Sequence, residues 1–350
     1  MLGKTDLTPW LRSEASAGWL VADIGGTNAR FALALSAPGA TAMQQAALQH
    51  ARTLRVRDHA TLHDAIAHFM DTIPLLQHPR IAILAVASAV TRDAVTFTNS
   101  HWSFSIDALQ RGLGLDGLLV ANDFAAAARA VPTLQRSDLR PVHGCVDFDD
   151  GGPGMRVVLG PGTGLGLAAL QRDAAGAISV IETEGGHISF APRNADELFI
   201  LEYLVGRFGR VSYERVLGGD GWLNLYQAWS AKLGVQAIFD TPEQVSQGAQ
   251  RGDVAARAAT QSMAAILGAF AGDAVLMYGA WQGVYLAGGL LTHLLDGDTA
   301  EAFRVGFEDK GRFSGLLRKT PVLHIVNPDL GNLGAAALGA DWLARGGRSQ

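Results

Sequence analysis

Cysteine and charged side chains are both scarce in this sequence of 350 residues. The single cysteine, Cys145, excludes an internal disulfide and any zinc site built from a cluster of cysteines. We interpret Cys145 as a passive thiol rather than a nucleophile. Charged residues make up 17% of the chain, the formal net charge is −5, and no block of Lys and Arg occurs, which argues against a general nucleic-acid-binding protein.

The sequence also lacks a long, uninterrupted apolar segment. The apolar run at 81–90 is too short to cross a bilayer. The stretch 266–291 is interrupted by Asp273 and Gln282. The first residues carry scattered charges and no apolar core ahead of a small-residue cleavage site, unlike a secretory signal. We therefore predict a cytoplasmic protein that associates with neither a membrane nor nucleic acid.

Apolar residues, by contrast, are plentiful, at 48% of a chain long enough for two domains. Short apolar runs alternate with segments of helical spacing, which predicts mixed β-sheets flanked by helices. The run at 80–88 predicts a strand buried on both faces. Helical periodicity predicts a helix over 58–73 and a long central helix over 253–279. We expect an edge strand at 93–98 and a surface connection over 134–154.

Glycine is concentrated in two turns, DIGGTN at 23–28 and GPGTGLG at 160–166. Each turn follows one short apolar run and precedes another, which predicts a strand–turn–strand hairpin. In a P-loop or a dinucleotide fingerprint the glycines would lead into a helix instead. Glycine lets backbone N–H groups approach an anion closely. An ordinary tight hairpin is the alternative for either turn alone, but the pair predicts a phosphate clamp made from two related halves, with the ligand in the cleft between them.

Two aspartates stand where a phosphoryl transfer would need them. Asp23 precedes the first Gly-Gly pair and could hold Mg²⁺ directly or through water, because Mg²⁺ keeps several waters and takes one or two carboxylates. A turn-stabilising role for Asp23 is equally compatible with the sequence. Asp123 follows a predicted buried strand at 117–121, and open α/β sheets bind ligands at such strand ends. We interpret Asp123 as the base for an attacking hydroxyl and Asn122 as a substrate contact; a helix cap is the alternative.

A second polar group comprises Glu184, His187 and Glu214. Glu184 and His187 flank a Gly-Gly pair, so both side chains can project from one tight turn. Carboxylates and an imidazole suit a polyhydroxylated ligand, because each group accepts from or donates to a separate hydroxyl. A zinc site and a solvated loop are the alternatives, although an H-E-x-x-H pattern is missing.

Eight segments in this order resemble the bacterial glucokinases outside the ROK branch of sugar kinases: VADIGGTNARFAL, TNSHWSFS, ANDFAAAARAVP, LGPGTGLGLAAL, EGGHISFAP, YERVLGG, YLAGGL and FEDKGRF. The resemblance covers about residues 19–340. It implies two actin-like ATPase (ribonuclease H-like) α/β domains with mixed sheets flanked by helices and the active site in the interdomain cleft. The small domain would comprise 19–132 and 327–350, the large domain 133–326, with an N-terminal extension at 1–18.

The resemblance also implies a role for each candidate residue. It assigns nucleotide binding to eleven positions: Ala22, Asp23, Ile24, Gly25, Gly26, Thr27, Gly162, Thr163, Gly164, Gly288 and Gly289. It assigns glucose binding to five: Asn122, Asp123, Glu184, His187 and Glu214. Asp123 would be the general base for the sugar's 6-hydroxyl, and Asp23 would hold Mg²⁺ through water. The implied reaction converts glucose and MgATP into glucose 6-phosphate and ADP, the first step of glycolysis, in a homodimer.

The chain departs from this family pattern at two positions. Gly218 stands where the family usually has Ser, and Pro161 stands where it commonly has Ala. These departures bear on nucleotide affinity and donor choice more than on the reaction. A kinase of mannose or fructose is an alternative, because the sequence does not determine which hydroxyls are contacted. A non-catalytic sugar sensor is a weaker alternative, because a sensor needs neither Asp23 nor Asp123.

Overall fold

The computed structural model of the protein describes residues 18–35, 47–88, 90, 93–97, 100–144 and 152–347. Within them, the chain divides into two compact units. Unit 1 is drawn from Met1–Gln135 and Asn327–Gln350, and unit 2 from Arg136–Val326. The boundaries expected from the sequence fall after residues 132 and 326. Residues 1–17 of the expected N-terminal extension and Cys145 lie outside the described residues.

Unit 1 is built on a mixed sheet of five strands, listed here in chain order: β1 (Trp19–Ile24), β2 (Asn28–Leu35), β3 (Ala47–Arg55), β4 (Ile81–Val86) and β7 (Gly117–Asn122). Their order across the sheet is β3-β2-β1-β4-β7. β2 is antiparallel to both of its neighbours, whereas β1, β4 and β7 are parallel to one another. Every residue of β4 is buried, as the continuous apolar run predicts for a central strand.

Each helix of unit 1 follows a polar residue, and in the first three the side chain of that residue caps the helix. These helices are α1 (Leu62–Met70), α2 (Ile106–Gly112), α3 (Asp123–Ala130) and α11 (Leu330–Ala344). The helix predicted over 58–73 is shorter than expected, because Thr61 and Asp64 form a capping box that sets its start. Ser105 caps α2 as predicted, accepting from the backbone N–H of Ala108 at 3.1 Å.

The edge strand expected at 93–98 does not join the main sheet. β5 (Ala94–Thr96) instead pairs with β6 (Ser103–Ser105) in a separate two-stranded sheet. The side chain of Asp93 explains this placement, because it accepts from the Ser105 hydroxyl at 2.6 Å and from the backbone N–H of Asp107 at 2.8 Å. These bonds tie the small hairpin to the start of α2.

Unit 2 is built on a mixed sheet of six strands, listed here in chain order: β8 (Leu139–His143), β9 (Gly154–Pro161), β10 (Leu165–Arg172), β11 (Ile178–Thr183), β12 (Val284–Leu286) and β13 (Val322–Ile325). Their order is β11-β10-β9-β12-β13-β8. The expected surface connection at 134–154 is therefore wrong in part, since it contains β8. Arg140 and Pro141 are exposed on this edge strand, and a proline is tolerated at an edge, which hid the strand from sequence patterns.

The two sheets repeat one topology. The order β3-β2-β1-β4-β7 in unit 1 matches β11-β10-β9-β12-β13 in unit 2. Strand directions match as well, with two antiparallel pairings followed by two parallel ones. β8 is an added edge strand. The sequence-based prediction of two related halves is confirmed at the level of strand order and direction.

Unit 2 contains most of the helical residues: α4 (Ala195–Phe208), α5 (Glu214–Leu217), α6 (Gly219–Leu233), α7 (Pro242–Gln250), α8 (Val254–Tyr278), α9 (Gly297–Glu308) and α10 (Ser314–Leu317). α8 is the predicted central helix. It is long and apolar enough for a membrane span, yet 67% of its most apolar window is buried inside the protein, as in a core helix. α9 packs on it at backbone contact, since a Cβ at Gly306 would lie 2.1 Å from the Ala265 carbonyl oxygen.

Candidate active site

The first glycine turn joins β1 to β2, as predicted. The backbone N–H of Gly25 donates to the carbonyl of Asn28 at 3.0 Å and closes the turn. The side chains of Ala22 and Ile24 are fully buried in the sheet. Of the six predicted nucleotide contacts in this segment, those two residues can therefore offer a ligand only their backbone, whereas Thr27 is exposed at the tip.

Asp23 is held from two sides. Its Oδ2 accepts from Arg30 Nη1 at 3.0 Å. Gly331, in the first turn of α11, lies against the carboxyl group, since a Cβ at this position would be 2.4 Å from Asp23 Cγ. Burial raises the pKa of the Asp23 carboxyl, and the Arg30 guanidinium offsets part of that rise. A single, partly exposed carboxylate of this kind fits Mg²⁺, which keeps several waters and needs only one or two protein carboxylates.

Asn122 and Asp123 lie at the junction of β7 and α3. Asn122 is the helix cap: its Oδ1 accepts from the backbone N–H groups of Phe124 at 2.9 Å and Ala125 at 3.1 Å. Asp123 is the first residue of the helix, and its Oδ1 accepts from the same Phe124 N–H at 2.8 Å. The capping role considered for Asp123 therefore falls mainly to Asn122.

Strand register brings these residues to one edge of the unit 1 sheet. Ile24 of β1 pairs with Val86 of β4, and Val86 pairs in turn with Asn122 of β7. The three strands are parallel, so their carboxyl ends lie side by side, about 5 Å apart from strand to strand. The turn that carries Asp23 and the helix start that carries Asp123 are thus two strands apart on the edge where open α/β sheets bind ligands.

The second glycine turn joins β9 to β10 and packs against the end of β12. A Cβ at Gly160 would lie 1.6 Å from the carbonyl oxygen of Ala287. Gly288 has φ +130°, and a Cβ there would lie 2.2 Å from the Pro161 carbonyl oxygen. A Cβ at Gly162 would meet nothing within 4 Å. Gly160 and Gly288 are therefore required by packing, whereas Gly162 leaves open space beside the turn.

The three residues of the predicted sugar-binding group come together in unit 2. His187 stands between two carboxylates, with its Nε2 3.8 Å from Glu184 Oε2 and its Nδ1 3.8 Å from Glu214 Oε1. Arg210, which the sequence did not single out, donates from Nη2 to the carbonyl of His187 at 2.6 Å. All three predicted side chains are partly exposed, so hydrogen-bonding atoms remain accessible to a ligand.

Glu214 also reaches the second glycine turn. Its Oε2 accepts from the backbone N–H of Leu165 at 3.0 Å. The carboxylate lies so close to Gly164 that a Cβ there would be 2.4 Å from Oε2. Sequence reasoning missed this contact, because nothing in the separation of the two residues along the chain signals it.

The zinc alternative finds no support in the geometry. Across the part of the chain that the structure describes, no group of three or more His, Cys, Asp or Glu side chains is arranged to hold a metal ion. His187 faces Glu184 with Nε2 and Glu214 with Nδ1, and the two nitrogens of one imidazole cannot bind the same ion, so the three side chains do not converge on one zinc position.

Comparison with known proteins decides the family. A family profile described as Glucokinase matches residues 20–341. The chain is 41% identical over 331 residues to the glucokinase of Stenotrophomonas maltophilia strain R551-3, which spans 94% of this chain and 97% of that protein. The chain belongs to the glucokinase family. The predicted resemblance and the prediction of an ATP-dependent hexose kinase are thereby confirmed.

Solved structures show the same fold. The crystal structure of glucokinase from an Antarctic psychrotroph is 33% identical, with a TM-score of 0.76, over 91% of this chain and 98% of that one. A ROK family glucokinase from Streptomyces griseus, solved in complex with glucose and AMPPNP, has a TM-score of 0.60 at 18% identity, over 92% of this chain and 99% of that one. The second likeness shows only that the fold is shared with the ROK branch. The α/β prediction with mixed sheets and helices is confirmed by the sheets of both units.

Proposed function

We propose that this chain is a glucose kinase that transfers the γ-phosphoryl group of MgATP to the 6-hydroxyl of glucose. The observation that carries the proposal is the row Ile24–Val86–Asn122, which aligns the first glycine turn with the start of α3 at one sheet edge. A carboxylate and a phosphate-binding turn at the same sheet edge are what an in-line phosphoryl transfer requires. Membership in the glucokinase family supports glucose as the acceptor.

The nucleotide is proposed to bind through backbone N–H groups of the two glycine turns. The first turn would offer 22–27 and the second 162–164, with Gly288 and Gly289 beside the adenosine. Gly162, where a Cβ would meet nothing within 4 Å, supports a close approach of phosphate oxygens. Mg²⁺ enters with ATP as part of the substrate, and Asp23 would hold it through water.

The sugar is proposed to bind to Asn122, Glu184, His187 and Glu214, with Asp123 as the general base. The oxygen of the 6-hydroxyl attacks the γ-phosphorus, its proton passes to the Asp123 carboxylate, and the bond from the γ-phosphorus to the β,γ-bridging oxygen breaks. The products are glucose 6-phosphate and ADP. We propose further that the ligand groups of the two units face one cleft, since the transferred group must meet both substrates.

A cytoplasmic homodimer is the setting that we propose for this reaction. The homodimer is what the family resemblance implies, and the cytoplasmic setting is the one predicted in the sequence analysis. Light scattering coupled to gel filtration measures the mass of the particle directly. We expect twice the chain mass of 36.9 kDa, and a monomer at micromolar concentration would contradict the dimer.

A panel of sugars and phosphoryl donors tests the proposed reaction. Glucose, mannose and fructose are compared at equal concentration with ATP, ADP or polyphosphate as donor, and phosphorylated sugar and released nucleotide are both measured. We expect the highest kcat/KM for glucose with MgATP and no turnover when Mg²⁺ is chelated. A preference for mannose or fructose would overturn the choice of sugar. Glucose binding without ADP release would instead favour a sensor.

A further inference from the structure

The second glycine turn and the sugar-binding group of unit 2 share one set of contacts. Glu214 Oε2 accepts from the Leu165 N–H at 3.0 Å, while Oε1 of the same carboxylate lies 3.8 Å from His187. One side chain therefore contacts the expected phosphate-binding turn with one oxygen and the expected sugar-binding imidazole with the other. Glu184 also lies 3.8 Å from His187, but its described contacts do not include the turn.

Backbone packing joins the same two segments. The N–H of Gly219 donates to the carbonyl of Gly162 at 3.0 Å. A Cβ at Gly218 would lie 3.0 Å from the carbonyl oxygen of Thr163. A Cβ at Gly186, in the turn that carries His187, would lie 2.1 Å from the carbonyl oxygen of Leu165. The 160–166 turn is thus fitted against both segments that present the sugar-binding side chains.

We infer that Glu214 is a positioning residue that couples the two substrates, an inference that rests on the proposed function. A sugar hydroxyl that donates to Oε1 fixes the carboxylate in the rotamer that holds the Leu165 N–H. The turn is then already ordered when phosphate arrives, so nucleotide binding costs less conformational entropy. Because coupling between two sites is reciprocal, bound nucleotide raises the affinity for sugar by the same factor.

Gly164 makes this coupling possible, because any side chain there would occupy the space of the Glu214 carboxylate. Neither Gly164 nor Gly206 has a positive φ, so alanine is conformationally acceptable at both positions. The atom that alanine would meet at Gly164 is the end of a flexible side chain. Gly164→Ala therefore displaces Glu214 without requiring the backbone to move. Gly206→Ala, in helix α4 of the same unit, meets no atom within 4 Å and serves as the matched control outside the proposed site.

The first test measures glucose binding by calorimetry in the absence of nucleotide. We expect Gly164→Ala to weaken glucose binding about tenfold or more, the loss expected for one charge-assisted hydrogen bond. Gly206→Ala should stay within about twofold of the unmodified protein. Equal glucose affinities for the two variants would overturn the inference. If the unmodified protein itself binds no glucose, the proposed function fails instead.

The second test measures the coupling factor, which is the ratio of glucose dissociation constants without and with saturating AMPPNP. Glu214→Asp keeps the charge but is one methylene too short to span both the Leu165 N–H and the sugar. The coupling factor of the unmodified protein is expected to lie in the range typical of coupled sites, about 5- to 150-fold. In Glu214→Asp it should fall towards one. Glu184→Asp is shortened equally and should weaken glucose binding while keeping the factor. Loss of the factor in both variants, or in neither, would contradict the role of Glu214.

Discussion

The glycine turns of the two units occupy the same place in sheets of the same strand order, yet different neighbours hold them. In unit 1 the turn has its own carboxylate, Asp23, which pairs with Arg30 of the next strand and packs against Gly331. In unit 2 the turn has no carboxylate in its sequence. Glu214 of the separate helix α5 supplies one by accepting from the N–H of Leu165.

This difference shows how one local structure can serve two kinds of chemistry. A carboxylate beside the turn suits a phosphate that arrives with a metal ion. The turn of unit 2 has no carboxylate of its own and is contacted instead by Glu214, which belongs to the proposed sugar-binding group. We therefore expect substitutions in unit 1 to act mainly on turnover, and substitutions around the unit 2 turn to act mainly on sugar affinity and coupling.

The largest effect on turnover is expected from a substitution of Asp123 in unit 1. Asp123→Asn keeps an oxygen that can accept from the Phe124 N–H but cannot take up a proton at neutral pH, so kcat should fall by about 10²- to 10⁴-fold. A coupled assay for glucose 6-phosphate measures this fall. In unit 2, Glu184→Gln is the matched change and should mainly raise the KM for glucose. Near-normal turnover in Asp123→Asn would remove the proposed base.

We expect the stability of unit 1, which carries the proposed base, to depend on an ion pair between α3 and α11. Arg129, only 3% exposed, donates from Nε and Nη2 to Asp341 at 2.6 and 2.9 Å. Arg129→Ala leaves the Asp341 carboxylate, which is 22% exposed, without its partner and should lower the free energy of unfolding by about 2–3 kcal/mol, less than the loss expected for a fully buried pair. Urea denaturation measures the loss, and hydrogen exchange of α3 and α11 locates it.

The control for Arg129 is Arg80→Ala, which removes an exposed ion pair to Asp116 in the same unit. We expect a loss of about 1 kcal/mol or less, because surface pairs are solvated and screened. Equal losses of unfolding free energy in Arg129→Ala and Arg80→Ala would show that the α3–α11 ion pair stabilises unit 1 no more than a surface pair does.

A smaller effect is expected where α11 touches the first turn. In Gly331→Ala the new Cβ would lie 2.4 Å from Asp23 Cγ and would push the carboxylate aside. Displacement of this size should lower kcat/KM by roughly tenfold to a hundredfold and raise the Mg²⁺ concentration needed for half-maximal rate. A titration with Mg²⁺ at saturating glucose measures both. Gly206→Ala, in helix α4 with no atom within 4 Å, should leave both values unchanged.

The smallest expected effect concerns the pH dependence of stability in unit 2. Burial, and to a lesser degree the charge of Arg140, lower the pKa of His324 in β13. The unfolded chain therefore takes up a proton below the ordinary histidine pKa of about 6.5, while the folded chain does not. Stability should fall as the pH drops below about 6.5, by at most about 1.4 kcal/mol per pH unit for this group.

Urea midpoints measured between pH 8 and pH 5 test this dependence. His324→Gln should flatten part of the curve, because one of the groups that take up a proton on unfolding is gone; burial also lowers the pKa of His143 in the same unit, so that part of the slope remains. His63→Gln, at an exposed position of unit 1, is the matched change. An unchanged slope in His324→Gln would rule out His324 as the source of the pH dependence.

Most of the strand pattern could be predicted because it depends on local signals. Apolar runs and glycine turns identified the two hairpins, and the run at 80–88 identified the buried strand β4. β8 escaped prediction because an exposed edge strand with a proline lacks the periodicity of a strand. The helix α7 escaped as well, since its sequence PEQVSQGAQ is mostly polar and its buried residues are few.

The candidate residues could also be found from the sequence, because phosphoryl transfer requires particular chemical groups. Their neighbours could not. Gly331 lies far along the chain from Asp23, and Glu214 from Leu165, so only the folded chain brings each pair together. The sequence does not distinguish Gly160 and Gly288 from Gly162. In the folded chain, packing requires glycine at the first two positions, whereas Gly162 lies beside open space.

The sequence by itself determined the two hairpins and their duplication, and it identified the candidate acids and donors, since these follow from local patterning and from chemistry. Tertiary structure alone decided which backbone atoms each carboxylate contacts. The reason is that strand register and helix packing set positions to within an ångström or so, and hydrogen bonds depend on distances of that size. In this protein, distances of that size place Asp23 against Gly331 of α11 and bring Glu214 to the Leu165 N–H of the second turn.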